Sequence, residues 1–266
     1  MIKIIKGDAP EELIIKGIEL THALEIEFEK NKNEYLNGNK KFEFTDDYKS
    51  EDVKSALKKC QHNKCCFSEA KFNGDYPHIE HFRPKGRVDD YSSGVHHFPG
   101  YYWLCYDWSN LFFCKSVINV TYKRNYFPLL DDSTRKINHN CDKIELPLII
   151  DPSIDDPKSH IGFHKDELVP KTERGRLNIE ILGLRDPTFA EARRTKFELI
   201  KDLKAMVDLA EAEGFDENNP IVASSIAKLN SAILPDAEFS SMVKDFLKGW
   251  PHLSLDQNNI ETVSAS

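Results

Sequence analysis

The residues with the clearest capacity for chemistry are His78-Ile79-Glu80-His81-Phe82-Arg83-Pro84-Lys85, which bring one carboxylate, two imidazoles and two cations together in a single short stretch. The stretch reads as a strand: at period two, Ile79, His81 and Arg83 share one face, His78, Glu80 and Phe82 share the other, and Pro84 stops the ladder. A histidine beside a carboxylate is costly in a plain core, because neither group can be buried without a partner. The segment is therefore a candidate site. A second imidazole pair, His96-His97, lies in a stretch rich in Gly, Asp and Ser; adjacent side chains of an extended chain point apart, so these read as loop histidines.

The rest of the chain supplies the frame. Residues 2–6 alternate weakly as a strand, and Pro10 opens a helix to about Lys30 with Leu13, Ile14, Ile18, Leu20 and Leu24 on its apolar side. Positions 31–41 have a loop composition, and Ser50 caps a short helix through Lys59 with Val53, Ala56 and Leu57 inward. Between Cys60 and Leu130 aromatic residues and Gly/Pro punctuation predict short strands and loops, with 86–100 a surface loop. Leu146 to Ile150 reads as an apolar strand before the Asp151-Pro152 and Asp156-Pro157 turns. Beyond it the spacing predicts helices over Thr172 to Leu182, from Asp186-Pro187 to Gly214, over Ile221 to Leu229 and over Ala237 to Leu247. Gln257 to Ser266 is polar and reads as a frayed end.

An apolar content of 40%, a charged content of 30% and a net charge of −8 place the chain among globular proteins and argue against strong nonspecific affinity for polyanions. The charge is uneven. Positions 60–130 carry eight Lys/Arg against six Asp/Glu, so the acidity lies outside the candidate site. No apolar run of about eighteen residues could span a bilayer, and the first residues lack a signal-peptide pattern, which points to the cytoplasm. The six cysteines form no C-x-x-C pair and no regular framework, so free thiols are expected.

Taken in order and spacing, Cys65-Cys66-Phe67-Ser68-Glu69, then Ile79 to Lys85, Tyr102-Trp103-Leu104, Trp108-Ser109-Asn110-Leu111, Asn119 to Lys123 and Phe127-Pro128-Leu129 resemble the HNH endonucleases. Within that family the blocks are similar to the branch that includes the nuclease subunit of Septu-type and retron-associated anti-phage systems. The resemblance covers roughly residues 60–160. It implies an α+β fold in which a ββα-metal core is embedded in a mostly helical chain: strand and helices over 1–59, nuclease core over 60–165, a helical region over 166–255 and a disordered tail over 256–266.

The resemblance also implies roles. His81 is expected to act as general base, Glu80 and Asn119 as ligands to a divalent metal, and Asn110 to complete the catalytic set by fastening the loop that orients the strand. Histidine has the pKa to deprotonate water, and phosphodiester hydrolysis needs a cation to steady developing charge. Two hard oxygen ligands favour Mg2+ or Mn2+. Arg83, Lys85 and Lys123 are candidate phosphate contacts, and His78 takes a supporting role.

The chain departs from the family where two C-x-x-C pairs would hold a structural Zn2+: the first reads Cys65 with Ser68, the second Cys114 with Val117 or Lys115 with Ile118. The zinc is expected to be absent, with packing around Phe67, Phe112, Phe113, Val117 and Ile118 closing the finger; an improvised set of Cys60, Cys65 and Cys114 stays open. The expected function is metal-dependent cleavage of phage or plasmid DNA by a defence effector working with an ABC-type, Rad50-like ATPase and no membrane. Two alternatives stay open: a weak or inactive HNH-fold nucleic-acid-binding or regulatory subunit, and a nuclease acting on RNA.

Overall fold

The computed structural model describes residues 1–254, so the expected tail at 256–266 lies outside the described residues. The chain mixes helices with small antiparallel sheets. α1 (Glu11–Lys30), α2 (Lys32–Leu36) and α3 (Glu51–Cys60) come first, and β1 (His78–His81), β2 (Val88–Asp89), β3 (His96–His97) and β4 (Leu111–Cys114) follow. A hairpin, β5 (Ile161–His164) and β6 (Glu167–Pro170), then precedes α4 (Glu173–Ile181), α5 (Pro187–Ala212), α6 (Pro220–Ser231) and α7 (Ser240–Phe246). Among the described residues no helix is long and apolar enough to cross a membrane.

The pairs are β1 with β4, β2 with β3 and β5 with β6, all antiparallel. β4 is buried along its whole length, because Leu111, Phe112, Phe113 and Cys114 meet side chains on both faces. β1 lies over it with His78 opposite Cys114 and His81 opposite Leu111. In front of this pair an aromatic cluster joins α1 to the loops: the Phe28 and Phe42 rings stack on Tyr102 at 5.2 and 4.4 Å. Behind it, Glu69 accepts hydrogen bonds from the Ser240 hydroxyl and the Ser241 backbone, which ties α7 to the loop before β1.

Helix starts follow their caps. Ser50 accepts from the Val53 N–H, Thr172 from Gly175, Asp186 from Thr188 and Asn219 from Ile221, and Pro187 and Pro220 open their helices. The four helices read from spacing after Asp156 are present as α4 to α7.

Other expectations are corrected. Residues 2–6 form no strand: Ile4 makes one backbone bond, to Pro152, and Lys6 turns inward to donate to the Leu111 carbonyl at 2.6 Å. In α1 the buried stripe is Leu13, Gly17, Leu24 and Phe28, while Ile14 and Ile18 are exposed. That stripe wins because Gly17 lets Tyr106 come close; a Cβ there would stand 3.2 Å from the Tyr106 Cβ. The segment 31–41 contains the short α2, anchored by buried Tyr35, and 86–100 contains the β2–β3 hairpin. The segment 146–150 is buried at Ile149 and Ile150 but is not a strand. Its backbone is satisfied in two ways: the Leu146 carbonyl and Leu148 N–H pair with Leu130 and Pro128 in an isolated antiparallel bridge, while Asn178 accepts from the Ile150 N–H and donates to the Leu148 carbonyl, and Arg174 donates to the Ile149 carbonyl.

Candidate active site

The site is built on the β1–β4 ladder and the turn after it. Asp107 accepts from the Ser109 N–H and closes a short 3-10 turn that delivers Asn110 at the entrance to β4. Asn110 is buried and makes three bonds: Oδ1 accepts from the Arg83 N–H at 2.7 Å, and Nδ2 donates to the Arg83 and Leu104 carbonyls at 3.0 Å each. Its own carbonyl accepts from the Phe82 N–H at 2.9 Å. The chain leaving β1 is thus clamped from both sides. In this structure Asn110 fastens the strand and does not line the cleft.

After Cys114 the chain enters a π-helical turn, Ile118–Lys123, closed by the Arg124 N–H bonding to the Asn119 carbonyl at 3.0 Å. Such wide turns are rare and concentrate at functional positions. This one sends Asn119 into a cleft of ≈ 250 Å³ that is also lined by Glu80, His81, Lys85, Arg124 and Asn125. Three of the four expected site residues therefore share one cavity: Glu80, His81 and Asn119.

His81 is edge-on to the Tyr48 ring, 4.7 Å between centroids, and its Nε2 lies 2.9 Å from the Cys105 carbonyl oxygen. A carbonyl can only accept, so Nε2 carries the hydrogen and Nδ1 keeps a free lone pair. Burial, with Lys85 adding to it, holds the imidazole down to about 3. It is neutral across the physiological range.

Glu80 is 3% exposed. One of its oxygens is paired with Lys123, which is itself fully buried and also donates to the His81 carbonyl at 3.2 Å. Burial pushes the Glu80 carboxyl above the ordinary carboxylate range, and Lys123 pulls against it. Lys123 is therefore not a phosphate contact, as the sequence led us to expect: it has no exposed surface and serves as the countercharge of Glu80.

Arg83 also turns away from the cleft. Its Nε lies 3.3 Å from Glu145, and its guanidinium sits over the Phe82, Tyr101 and Phe127 rings. Lys85 does line the cleft, where its ammonium donates to the Tyr48 hydroxyl at 2.7 Å and lies between the Tyr48 and Phe44 rings. His78 is exposed at the far end of β1.

Sequence reading missed Arg124, Asn125 and Asp89. Arg124 is exposed at the cleft with a positive φ of 47°. Asp89 is buried and accepts from Arg87 at 2.7 Å and from Asn125 at 3.4 Å, and His96 Nδ1 lies 2.7 Å away; it fastens the β2–β3 hairpin to the cleft wall. The Lys123-Arg124-Asn125 run carried the only signal, and nothing in it distinguished the buried cation from the exposed one.

Behind the ladder, the sulfurs of Cys65, Cys66 and Cys114 lie within 4.8 Å of one another, all buried. Lys115 N–H donates to Cys65 Sγ at 3.3 Å. Burial raises the Cys66 and Cys114 thiols; it opposes ionisation of Cys65 too, yet hydrogen bonds from Cys114, Cys66 and Ser68 hold that thiol well below its ordinary value. The third sulfur is Cys66 and not the expected Cys60, which bonds to the Leu57 carbonyl within α3. A tetrahedral knuckle asks for four strong donors, and its remaining positions here are Ser68 and Val117, so the donor set does not fit a structural zinc of the family kind.

No protein-family model matches the chain. It is 34% identical over 169 residues to a protein of Bacillus mycoides (strain KBAB4), the match covering 59% of this chain and 57% of that protein. The chain thus spans little more than half the length of the curated relative it matches, and that relative is the Septu protein PtuB, so the similarity to the Septu branch read from the motif blocks is met by a sequence match over those 169 residues.

Proposed function

We propose that the chain is a metal-dependent HNH endonuclease that hydrolyses phosphodiester bonds in DNA, as the effector of an anti-phage defence complex with an ABC-type, Rad50-like ATPase. The observation that carries this reading is the single cleft gathering Glu80, His81 and Asn119 at the end of a two-stranded ladder and the turn that follows it. His81 lines the cleft with Nε2 engaged by the Cys105 carbonyl, which leaves Nδ1 as the nitrogen that would take a proton from water. Glu80 and Asn119 offer hard oxygens that would hold Mg2+ or Mn2+, which when bound would stabilise charge on the phosphate oxygens. Lys85 and Arg124 stand where they can meet the phosphate. In the free protein His81 is a weak base; an entering phosphate offsets the charge of Lys85 and raises it toward the working range. The ATPase and the defence role rest on the similarity to Septu PtuB and on the motif blocks.

A second reading, a weakly active or inactive HNH-fold binding subunit, is favoured by the buried pairing of Lys123 with Glu80. Incubating the protein with plasmid or RNA, Mg2+ or Mn2+, and with or without the co-encoded ATPase, separates the two and tests the DNA preference. Cleavage lost in His81→Ala is expected. Undiminished cutting by that variant refutes the catalytic assignment, and no cutting under any condition favours the binding subunit.

A further inference from the structure

The cleft holds one unpartnered charge sign. Among the described residues Glu80 is the only carboxylate lining it, whereas Lys85 and Arg124 line it and Lys123 sits behind Glu80 with its ammonium on that carboxylate. The other charged groups nearby are matched: Asp89 by Arg87, and Lys49 by Asp46. Glu80 is thus neutralised before any cation arrives, and two further positive charges face the space in front of it.

We propose that the cleft accepts its divalent ion together with the substrate phosphodiester and not before it, with Lys123 as the residue that enforces this order. The proposal rests on Glu80 and Asn119 being the ligands. A unit positive charge facing a divalent ion across one carboxylate weakens its binding by about tenfold even at the dielectric of water, and by more in a partly desolvated cleft. Holding Glu80 in one orientation works in the other direction, but a single charge-assisted hydrogen bond to a carboxylate that β1 already positions cannot match that repulsion. A phosphodiester supplies the missing negative charge: Lys85 and Arg124 are satisfied by it, and the cleft becomes electrostatically receptive to a cation. By linkage the effect is reciprocal, so the ion must strengthen DNA binding by the same factor. Lys123 is in this sense a positioning residue. It touches neither substrate nor the reacting atoms and acts through Glu80.

The 266-residue chain carrying His81→Ala, which is expected to prevent turnover, allows Mn2+ binding to be followed by the paramagnetic resonance signal of the free ion, at low salt, with and without duplex DNA. The expected result is weak Mn2+ binding alone and at least tenfold tighter binding with DNA. Adding Lys123→Met should tighten Mn2+ binding in the absence of DNA by about tenfold and shrink the effect of DNA, read at the alkaline end of the accessible pH range because Glu80 then lacks the countercharge that favours its ionised form. Equal Mn2+ affinity with and without DNA overturns the proposal, as does a folded Lys123→Met protein that binds Mn2+ no more tightly. The DNA comparison needs no change at Lys123, so it decides the matter even where that variant does not fold. Glu80→Gln separates the two readings. If it leaves Mn2+ binding intact, Glu80 is not a ligand and the functional reading fails with the proposal; if it abolishes binding while DNA has no effect in the Glu80 protein, only the coupling fails.

Discussion

Asn110 gives the sharpest test of how the site is held. In Asn110→Ala the Arg83 N–H and the Arg83 and Leu104 carbonyls lose their partners together. At ~1 kcal/mol for each bond, with part of the desolvation cost of buried groups left unpaired, the loss is about 3 to 5 kcal/mol. For a chain of this size that corresponds to a fall in Tm of roughly 6 to 20 °C. Asn110→Asp is expected to be worse at pH 8, although it keeps the acceptor for Arg83. It replaces the Nδ2 donor with an oxygen facing two carbonyls, and a buried carboxylate there is repelled. The sign with pH follows. Repulsion raises the folded-state pKa of the new acid, so its deficit is full above that value and shrinks as pH falls through it, because the protonated acid can donate to one carbonyl. Thermal melts followed by circular dichroism at pH 8 and pH 5 should show Asp below Ala at the higher pH and gaining on it at the lower. An Asp variant at least as stable as Ala at pH 8, or an Ala variant within about 1 kcal/mol of the parent, would refute the clamp.

Three other outcomes are expected. Gly100 has φ +78°, and a Cβ there would lie 2.5 Å from the Arg87 nitrogen and 2.8 Å from the Pro84 oxygen, both backbone atoms; Gly100→Ala should therefore cost more than about 3 kcal/mol in a urea melt, and a loss under 1 kcal/mol would contradict this packing. His81 is held down to about 3, so below pH ~6.5 the unfolded chain binds a proton that the folded one refuses, and stability is lost as pH falls from there toward the folded value. His81→Gln should flatten the stability profile between pH 6.5 and 4 by roughly 2 to 3 kcal/mol, discounted for its partial exposure, and parallel profiles would count against it. Metal analysis should find no stoichiometric zinc and chelators should leave the melt unchanged; one tightly held zinc per chain would show that Cys65, Cys66 and Cys114 recruit a fourth donor.

The fold was legible where local signals agree. α4, α5 and α6 each begin at a capping side chain that the sequence marks, and apolar spacing of about 3.6 residues then carries the helix. It failed where the backbone finds unusual partners. The 146–150 run has the composition of a strand, but only a single bridge to 128–130 forms, and from Leu148 on Asn178 and Arg174 take its carbonyls and the Ile150 N–H from a helix some thirty residues on, which no local pattern reveals. The β5–β6 hairpin went unread because it turns at Lys165-Asp166, with Lys165 at φ 57° and no glycine or asparagine to announce it.

At the site, residue types were more legible than their partners. Glu80, His81 and Asn119 were named from the resemblance to the HNH endonucleases, and they do meet in one cleft. Alternation along β1 correctly separated Glu80 from His81, but it carried no account of what lies beneath Glu80. Lys123 and Arg124 are adjacent, and in a regular α-helix adjacent residues differ in direction by about 100° in a way the sequence alone would allow one to plot. The π-helical turn breaks that geometry: its wider loop, closed from Arg124 to the Asn119 carbonyl, brings Lys123 under the carboxylate and leaves Arg124 at the surface. A phosphate contact and a countercharge have the same residue type, and only burial distinguishes them. The consequence is chemical as well as geometric. With Lys123 inside, the cleft presents two cations and a neutralised acid, so on the proposed reading its affinity for a phosphate would be set by Lys85 and Arg124, and its affinity for a metal ion by how far an arriving phosphate offsets them.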